Sequence, residues 1–256
     1  LAGGAEQALV VASDRGDRAY SKLALFALRF DDATLRPLGT IPSGPGGAYG
    51  LCLQRRDVPA DLSVITAYAA IKDGTVREIR LTRRPDGGYD GAIRRTWKLG
   101  TQIEGCVTSP RSGDLYIGEE DVGIWRIRTM IADAAPQPEK FASVGEADGL
   151  VADVEGLAYA MNPDGRDYLI ASSQGDSAYA VFDAQGGGLI GRFRIADGPR
   201  IDGTSETDGI ELATGDFGPD YPAGLFVAQD GDNPGGAQNF KLVNWGAVRQ
   251  ALKLPE

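Results

Sequence analysis

The chain has 256 residues, 36 acidic against 26 basic for a net charge of -10, and contains no histidine. That balance works against nucleic acid and anionic membranes, which select basic surfaces, and no segment approaches the ~18 apolar residues of a membrane span. Without histidine there is no Ser-His-Asp triad, no phosphohistidine and no imidazole-built zinc centre, so a metal site must use oxygen ligands, the set that suits Ca²⁺ or Mg²⁺.

The apolar runs are short and β-rich, and Gly, Pro, Asp and Asn clusters separate them, the pattern of strands joined by tight turns. In chain order, strands are expected at residues 9–12, 23–30, 62–68, 115–118, 168–171, 178–182 and 225–228. Helical periodicity is scarce: a short helix is expected at 129–135 and another at 245–253.

An internal repeat organises these elements. A residue-Gly pair recurs as Tyr49-Gly50, Glu104-Gly105, Glu155-Gly156 and Asp208-Gly209, 51 to 55 residues apart. Each pair opens an apolar strand. A second strand follows and ends at Ala70-Ile71-Lys72-Asp73, Gly118-Glu119-Glu120-Asp121, Ser172-Ser173-Gln174-Gly175 or Ala228-Gln229-Asp230-Gly231. Units of this length with several strands each are blades of an all-β propeller. Val11-Ala12-Ser13-Asp14-Arg15 matches such an ending with no pair before it, and the first residue is Leu1. The sequence therefore reads as about four complete blades plus part of another. It is one propeller domain over 1–256 that starts inside a blade.

The repeat sets Tyr49, Glu104, Glu155 and Asp208 at one height beside the propeller axis, and adds Arg15, Lys72, Asp73, Glu120, Gln174 and Asp230 from the second-strand ends. At ~4 Å and an effective dielectric of about 20, two like charges cost ~4 kcal/mol. Converging carboxylates therefore call for a bound cation, unless they cap turns and pair with Arg or Lys on separate faces. Asp230-Gly231-Asp232-Asn233 fits either a cation-wrapping loop or an ordinary turn. Ser43-Gly44-Pro45-Gly46-Gly47 lacks the Lys and helix of a phosphate cradle and reads as a flexible turn. Cys52 and Cys106 suit either small buried apolar positions, the favoured reading, or one disulfide.

These segments resemble the β-propeller phytases, the alkaline, calcium-dependent type. The resemblance rests on Glu104-Gly105, on Leu115-Tyr116-Ile117-Gly118-Glu119-Glu120-Asp121 and on Asp153-Val154-Glu155-Gly156-Leu157. Its most specific stretch is Asp202-Gly203-Thr204-Ser205-Glu206-Thr207-Asp208-Gly209-Ile210, followed by Gln229-Asp230-Gly231 and Gln238-Asn239-Phe240-Lys241. It implies a six-bladed fold and calcium-dependent hydrolysis of phosphomonoesters of phytate by metal-activated water, in a secreted or periplasmic monomer. Glu104, Glu120, Asp153 and Glu155 resemble active-site calcium ligands, and Asp208, Gly209, Asp232 and Asn233 those of a structural calcium. Arg15, Tyr49 and Lys72 resemble phosphate-binding residues with Asp73 beside them, and Gln174 lines the same cleft. The family's N-terminal Asp-Asp-Pro motif and a further phosphate-binding Lys do not occur in this chain. Gly47 stands where an acid is common, and Asp73 and Asp232 where Glu is common. Two rival readings are a different calcium propeller hydrolase, such as a lactonase, and a non-catalytic partial propeller.

Overall fold

The computed structural model describes residues 7–56, 64–130, 136–233 and 235–255. The chain divides into two compact units, Leu1–Ile103 and Glu104–Glu256. In the first, strands β1 (Gln7–Asp14), β2 (Tyr20–Arg29) and β3 (Leu35–Pro45) form one antiparallel sheet. Strands β4 (Ala48–Arg56), β5 (Val64–Ile71), β6 (Thr75–Arg83) and β7 (Tyr89–Lys98) form a second.

The remaining strands make three more sheets. One runs β8 (Ile103–Thr108), β9 (Leu115–Glu119), β10 (Gly123–Ile127) and β11 (Glu139–Ser143). The next runs β12 (Val154–Ala160), β13 (Tyr168–Ser173), β14 (Ala178–Asp183) and β15 (Leu189–Phe193). The last has β16 (Ile210–Ala213), β17 (Leu225–Asp230) and β18 (Asn239–Asn244). Every sheet follows chain order, the meander of a β-propeller blade.

Five blades are thus described, three with four strands and two with three, against the expected four complete and one partial. The sheet begun by β16 stops at three strands for a local reason. The Asn244 side chain accepts a hydrogen bond from Ala247 N at 3.3 Å and so caps helix α1 (Trp245–Leu252) directly after β18. Trp245 and Val248 then bury one face of α1 beside Phe226 and Leu212. This helix matches the expected one. Of the other expected helix, Thr129 and Met130 form a turn, and residues 131–135 lie outside the described residues. No helix among the described residues is long and apolar enough to cross a membrane.

The period of two along each strand explains the core. Strand β13 is buried at every position. Its Leu169 and Ala171 join Tyr116, Ile124, Leu157 and Phe182 in one apolar layer, while Tyr168 and Ile170 join Tyr179, Phe226 and Trp245 in another. A central blade covered on both faces therefore reads as a continuous apolar run. The first unit has its own layer, built by Leu23, Leu25, Ile41, Ala67, Ala69, Ile71 and Ile79 from both of its sheets.

Two local expectations change. Ser43, Gly44 and Pro45 close strand β3, with Ser43 buried, so the Gly-rich stretch is an ordered strand end and not a flexible turn. Its glycines serve backbone shape: Gly44 and Gly46 both have positive φ. Neither cysteine is free; Cys52 and Cys106 are disulfide-bonded, which replaces the favoured buried-thiol reading.

Candidate metal centre and anion cleft

The repeated residue-Gly pairs sit at strand starts: Tyr49-Gly50 in β4, Glu104-Gly105 in β8, Glu155-Gly156 in β12 and Asp208-Gly209 just before β16. In the second unit the glycines have a steric role. A Cβ on Gly105 would lie 2.0 Å from the Glu155 carbonyl oxygen, and one on Gly156 would lie 2.7 Å from that of Asp208. Gly156 N also donates to the Asp208 carbonyl at 2.7 Å. Only a residue without a side chain lets neighbouring first strands approach this closely. The residue before each glycine is then carried toward its counterpart in the next blade.

The result is one tight acidic group. Glu104, Glu120 and Glu155 each offer a carboxylate oxygen within 4.8 Å of the others, the one such group of three or more acids among the described residues. Glu104 comes from β8, Glu155 from β12, and Glu120 directly follows β9. Glu120 and Glu155 are buried and Glu104 half-buried. Burial pushes the Glu155 carboxyl up to about 10, reinforced by a hydrogen bond shared with Glu104 and by the charges of Glu104, Glu120 and Asp208. Glu155 Oε2 is buried with no hydrogen-bond partner. Three convergent hard oxygens with one orphaned lone pair are a donor set that fits Ca²⁺ or Mg²⁺.

Asp208 borders this group without joining it. Its Oδ1 accepts from Gln174 Nε2 at 2.7 Å, and its N–H donates to Gln229 Oε1 at 2.8 Å. Gln174 sits on the turn Gln174–Asp176. There the Asp176 carboxylate accepts from Ser173 Oγ at 2.7 Å and pairs with Arg192 at 2.6 Å and Arg194 at 3.0 Å. Asp153 contributes its carbonyl to Gln174 N at 2.9 Å and is half-buried. The Gly209 carbonyl accepts from Gln229 N at 2.9 Å. Asp232 and Asn233 lie in the turn after β17, where the Asp232 carbonyl accepts from Ser205 Oγ at 3.4 Å and Asn233 Nδ2 donates to the Ala237 carbonyl at 2.9 Å. Neighbouring Asp230 is buried and paired with Lys241 at 2.9 Å. The structure thus unites three of the four residues expected to share one metal and leaves Asp153 outside that group, while Asp208, Gly209, Asp232 and Asn233 belong to the separate expected site.

The first unit holds the cations. Arg15, Arg18, Tyr49 and Lys72, with Asp17, Gly47, Ala48 and Asp73, line a cleft of about 690 Å³. The Arg15 guanidinium lies 4.8 Å and the Lys72 ammonium 5.3 Å from the centre of the Tyr49 ring. The ring face is an attractive seat for two positive heads that would otherwise repel. Gln102 Nε2 donates to the Tyr49 hydroxyl at 3.4 Å. Asp73 accepts from Thr75 N at 3.0 Å and pairs with Lys98 at 3.1 Å. Desolvation alone would raise its carboxyl, but the Thr75 and Lys98 contacts outweigh this and hold it below the usual range. Arg15, Tyr49, Lys72 and Asp73 were expected together. Arg18 and Gln102 were not, because Arg18 lies on a turn beyond the repeat and Gln102 just before a strand. A count of cations within a few residues of Arg15 was the available signal for Arg18.

The chain matches the phytase family profile over residues 4–255. It is 40% identical over 194 residues to the 3-phytase of Bacillus subtilis (strain 168), covering 73% of this chain and 50% of that protein. It therefore spans about half the length of that curated relative. Among solved structures, Sqt1 of Chaetomium thermophilum superposes with a TM-score of 0.51 at 16% identity, covering 92% of this chain and 54% of that one. A chain of the outer coat vertex of COPII on membranes superposes with a TM-score of 0.56 at 10% identity, covering 93% and 58%. At such identities these structures share only the fold. The family match and the Bacillus relative carry the assignment, and the chain belongs to the phytase family.

Proposed function

We propose that this chain binds inositol polyphosphate and hydrolyses its phosphomonoesters, with Ca²⁺ held by Glu104, Glu120 and Glu155. The observation that carries the metal reading is the buried, unpartnered Glu155 Oε2 beside two further carboxylates. Ca²⁺, when bound, neutralises charge on phosphoryl oxygens and acidifies coordinated water. Family membership and the 3-phytase relative favour phytate as substrate.

The chain's own residues supply the rest. Arg15 takes phosphate oxygens in a bidentate fork and Lys72 adds a point charge. Tyr49 holds both heads in place before phosphate arrives, so little ordering is left to do on binding. Asp73, kept ionised by Thr75 and Lys98, suits a proton acceptor better than a donor. Gln174 is fixed toward Asp208 and stays neutral at the edge of the acidic group. The same reading makes the protein a monomeric enzyme of calcium-rich extracytoplasmic surroundings.

The test is phosphate release from phytate with Ca²⁺ and with chelator, beside a calorimetric calcium titration of wild type and Glu155→Gln. Calcium binding lost in the variant, with release dependent on calcium, supports the proposal. No calcium binding by wild type would sink the metal reading. Binding without phosphate release would leave a phosphate-binding propeller in place of an enzyme.

A further inference from the structure

We propose that the unit Glu104–Glu256 carries a second binding site, for a small organic carboxylate with an apolar body, in the pocket between α1 and the loops that follow β8, β12 and β16.

The pocket lies at the far end of the blades from the acidic group. Glu104 and Glu155 open β8 and β12 and Asp208 precedes β16, whereas Arg111, Met161 and Thr214 follow the last residues of those same strands. Glu155 and Met161 bracket β12, so at ~3.3 Å per residue the two sites are roughly 20 Å apart. The walls are tied together. Arg111 Nε and Asn162 N both donate to Asp167 at 2.9 Å, and Arg111 Nη2 donates to the Asn162 carbonyl at 2.9 Å, which joins the loops of two blades. Trp245 N donates to the Gly224 carbonyl at 3.1 Å and Asn244 Nδ2 to the Asp220 carbonyl at 2.7 Å, which fastens the start of α1 to the β16–β17 loop. The space between them is about 530 Å³, within the range of small-molecule sites.

Its chemistry suits an organic anion. Met161, Pro163, Ala223 and Trp245 supply apolar wall, and no acid lines the pocket. Of its two guanidinium groups, Arg111 is paired with Asp167, while Arg249 forms no ion pair among the described residues. Trp245 is buried and its Nε1 has no hydrogen-bond partner. Arg249 Nε has none either, although Nη2 of the same side chain donates to the Pro255 carbonyl. A buried N–H left unmet costs ~1–3 kcal/mol, and such groups are rare in folded chains. Residues 245 and 249 are one helical turn apart on one face of α1. A carboxylate has two oxygens to meet two such donors, and its charge answers Arg249. The apolar wall takes the rest of the ligand, which a bare phosphate would leave uncovered.

The experiment is a titration of benzoate, neutral benzamide and inorganic phosphate, with chelator present, into ¹⁵N-labelled wild type, Arg249→Met and the exposed-site control Arg80→Met. The readout is the indole N–H resonance of Trp245, told apart from those of Trp97 and Trp125 by spectra of Trp97→Phe and Trp125→Phe. Benzoate should move it saturably, and Arg249→Met should weaken benzoate about tenfold, the weight of one charge-assisted contact. Arg80→Met should change nothing, and benzamide and phosphate should each bind at least about tenfold more weakly than benzoate on the same grounds. The proposal is overturned if benzoate leaves the Trp245 resonance in place, or if benzamide or phosphate moves it at the same concentrations. It is equally overturned if Arg249→Met binds benzoate as tightly as wild type. Should Arg249→Met fail to fold, the comparison of the three probes on wild type decides by itself.

Discussion

Replacing Glu155 with Gln should raise stability without calcium and erase most of the stabilisation that calcium gives. Substituting a buried polar side chain ordinarily costs ~1 kcal/mol or more, so the expected sign is unusual. It follows from the acidic group. Within 4.8 Å of one another, two ionised carboxylates cost about 3.5 kcal/mol or more at an effective dielectric of ~20. Wild type without a cation relieves this by keeping Glu155 protonated, its carboxyl pushed up to about 10 by burial and by Glu104. Gln keeps the shape, carries no charge, and offers an amide N–H to Glu104. A net gain of roughly 1–2 kcal/mol is expected, or about 2–8 °C in melting temperature for a chain of this size. With calcium at a hundred times its dissociation constant, wild type gains ~2.7 kcal/mol; the variant should gain less than a third of that. Differential scanning calorimetry with chelator and with calcium reads all four states. A variant that melts below wild type in chelator, or keeps the full calcium shift, would refute the argument.

The remaining predictions concern separate parts of the molecule. Gly105→Ala drives a Cβ to 2.0 Å from a backbone oxygen and should cost about 1–3 kcal/mol or more together with calcium binding, whereas Gly209→Ala meets nothing within 4 Å and should cost under ~1 kcal/mol; denaturant titration separates them. Replacing Arg15 and Lys72 together with Ala should abolish phosphate release from phytate while leaving the calcium titration intact, and unchanged release would favour a hydrolase with another substrate. Asp167 is fully buried and accepts from Arg111 at 2.9 Å, Asn162 N at 2.9 Å and Tyr159 at 3.0 Å. Arg111 reaches solvent, so Asp167→Asn should cost about 1–3 kcal/mol, the loss of charge-assisted hydrogen bonds to a buried acceptor. Burial alone would raise the Asp167 carboxyl, yet these donors hold it low. Its contribution is thus complete above the unfolded carboxyl value of ~3.9 and is lost as pH falls through the lower folded value. Stability should drop more steeply in acid for wild type than for Asp167→Asn.

How much of this was legible in the sequence depends on whether a residue's role is set by register or by a turn. Strand register repeats, so the repeated pairs located Glu104 and Glu155, the second-strand endings located Glu120 and Lys72, and all three acids met as expected. Why Glu104 and Glu155 each precede a glycine was not legible. That Gly105 must clear the Glu155 carbonyl is a relation between strands 51 residues apart, and appears only once the blades stand side by side. Turns carry no such period. Asp232 and Asn233 looked alike as ligands and turn formers, and in the structure Asn233 Nδ2 spends a donor on the Ala237 carbonyl. Arg18 was overlooked for the same reason: its position follows from Asp14 and Asp17 folding the chain back through backbone hydrogen bonds, and the repeat has no counterpart to that loop. Asp17 spends Oδ1 on the N–H groups of Ala19 and Tyr20 and keeps its charge. The net charge of -10 therefore conceals a cleft where cations outnumber acids, Arg15, Arg18 and Lys72 against Asp17 and Asp73.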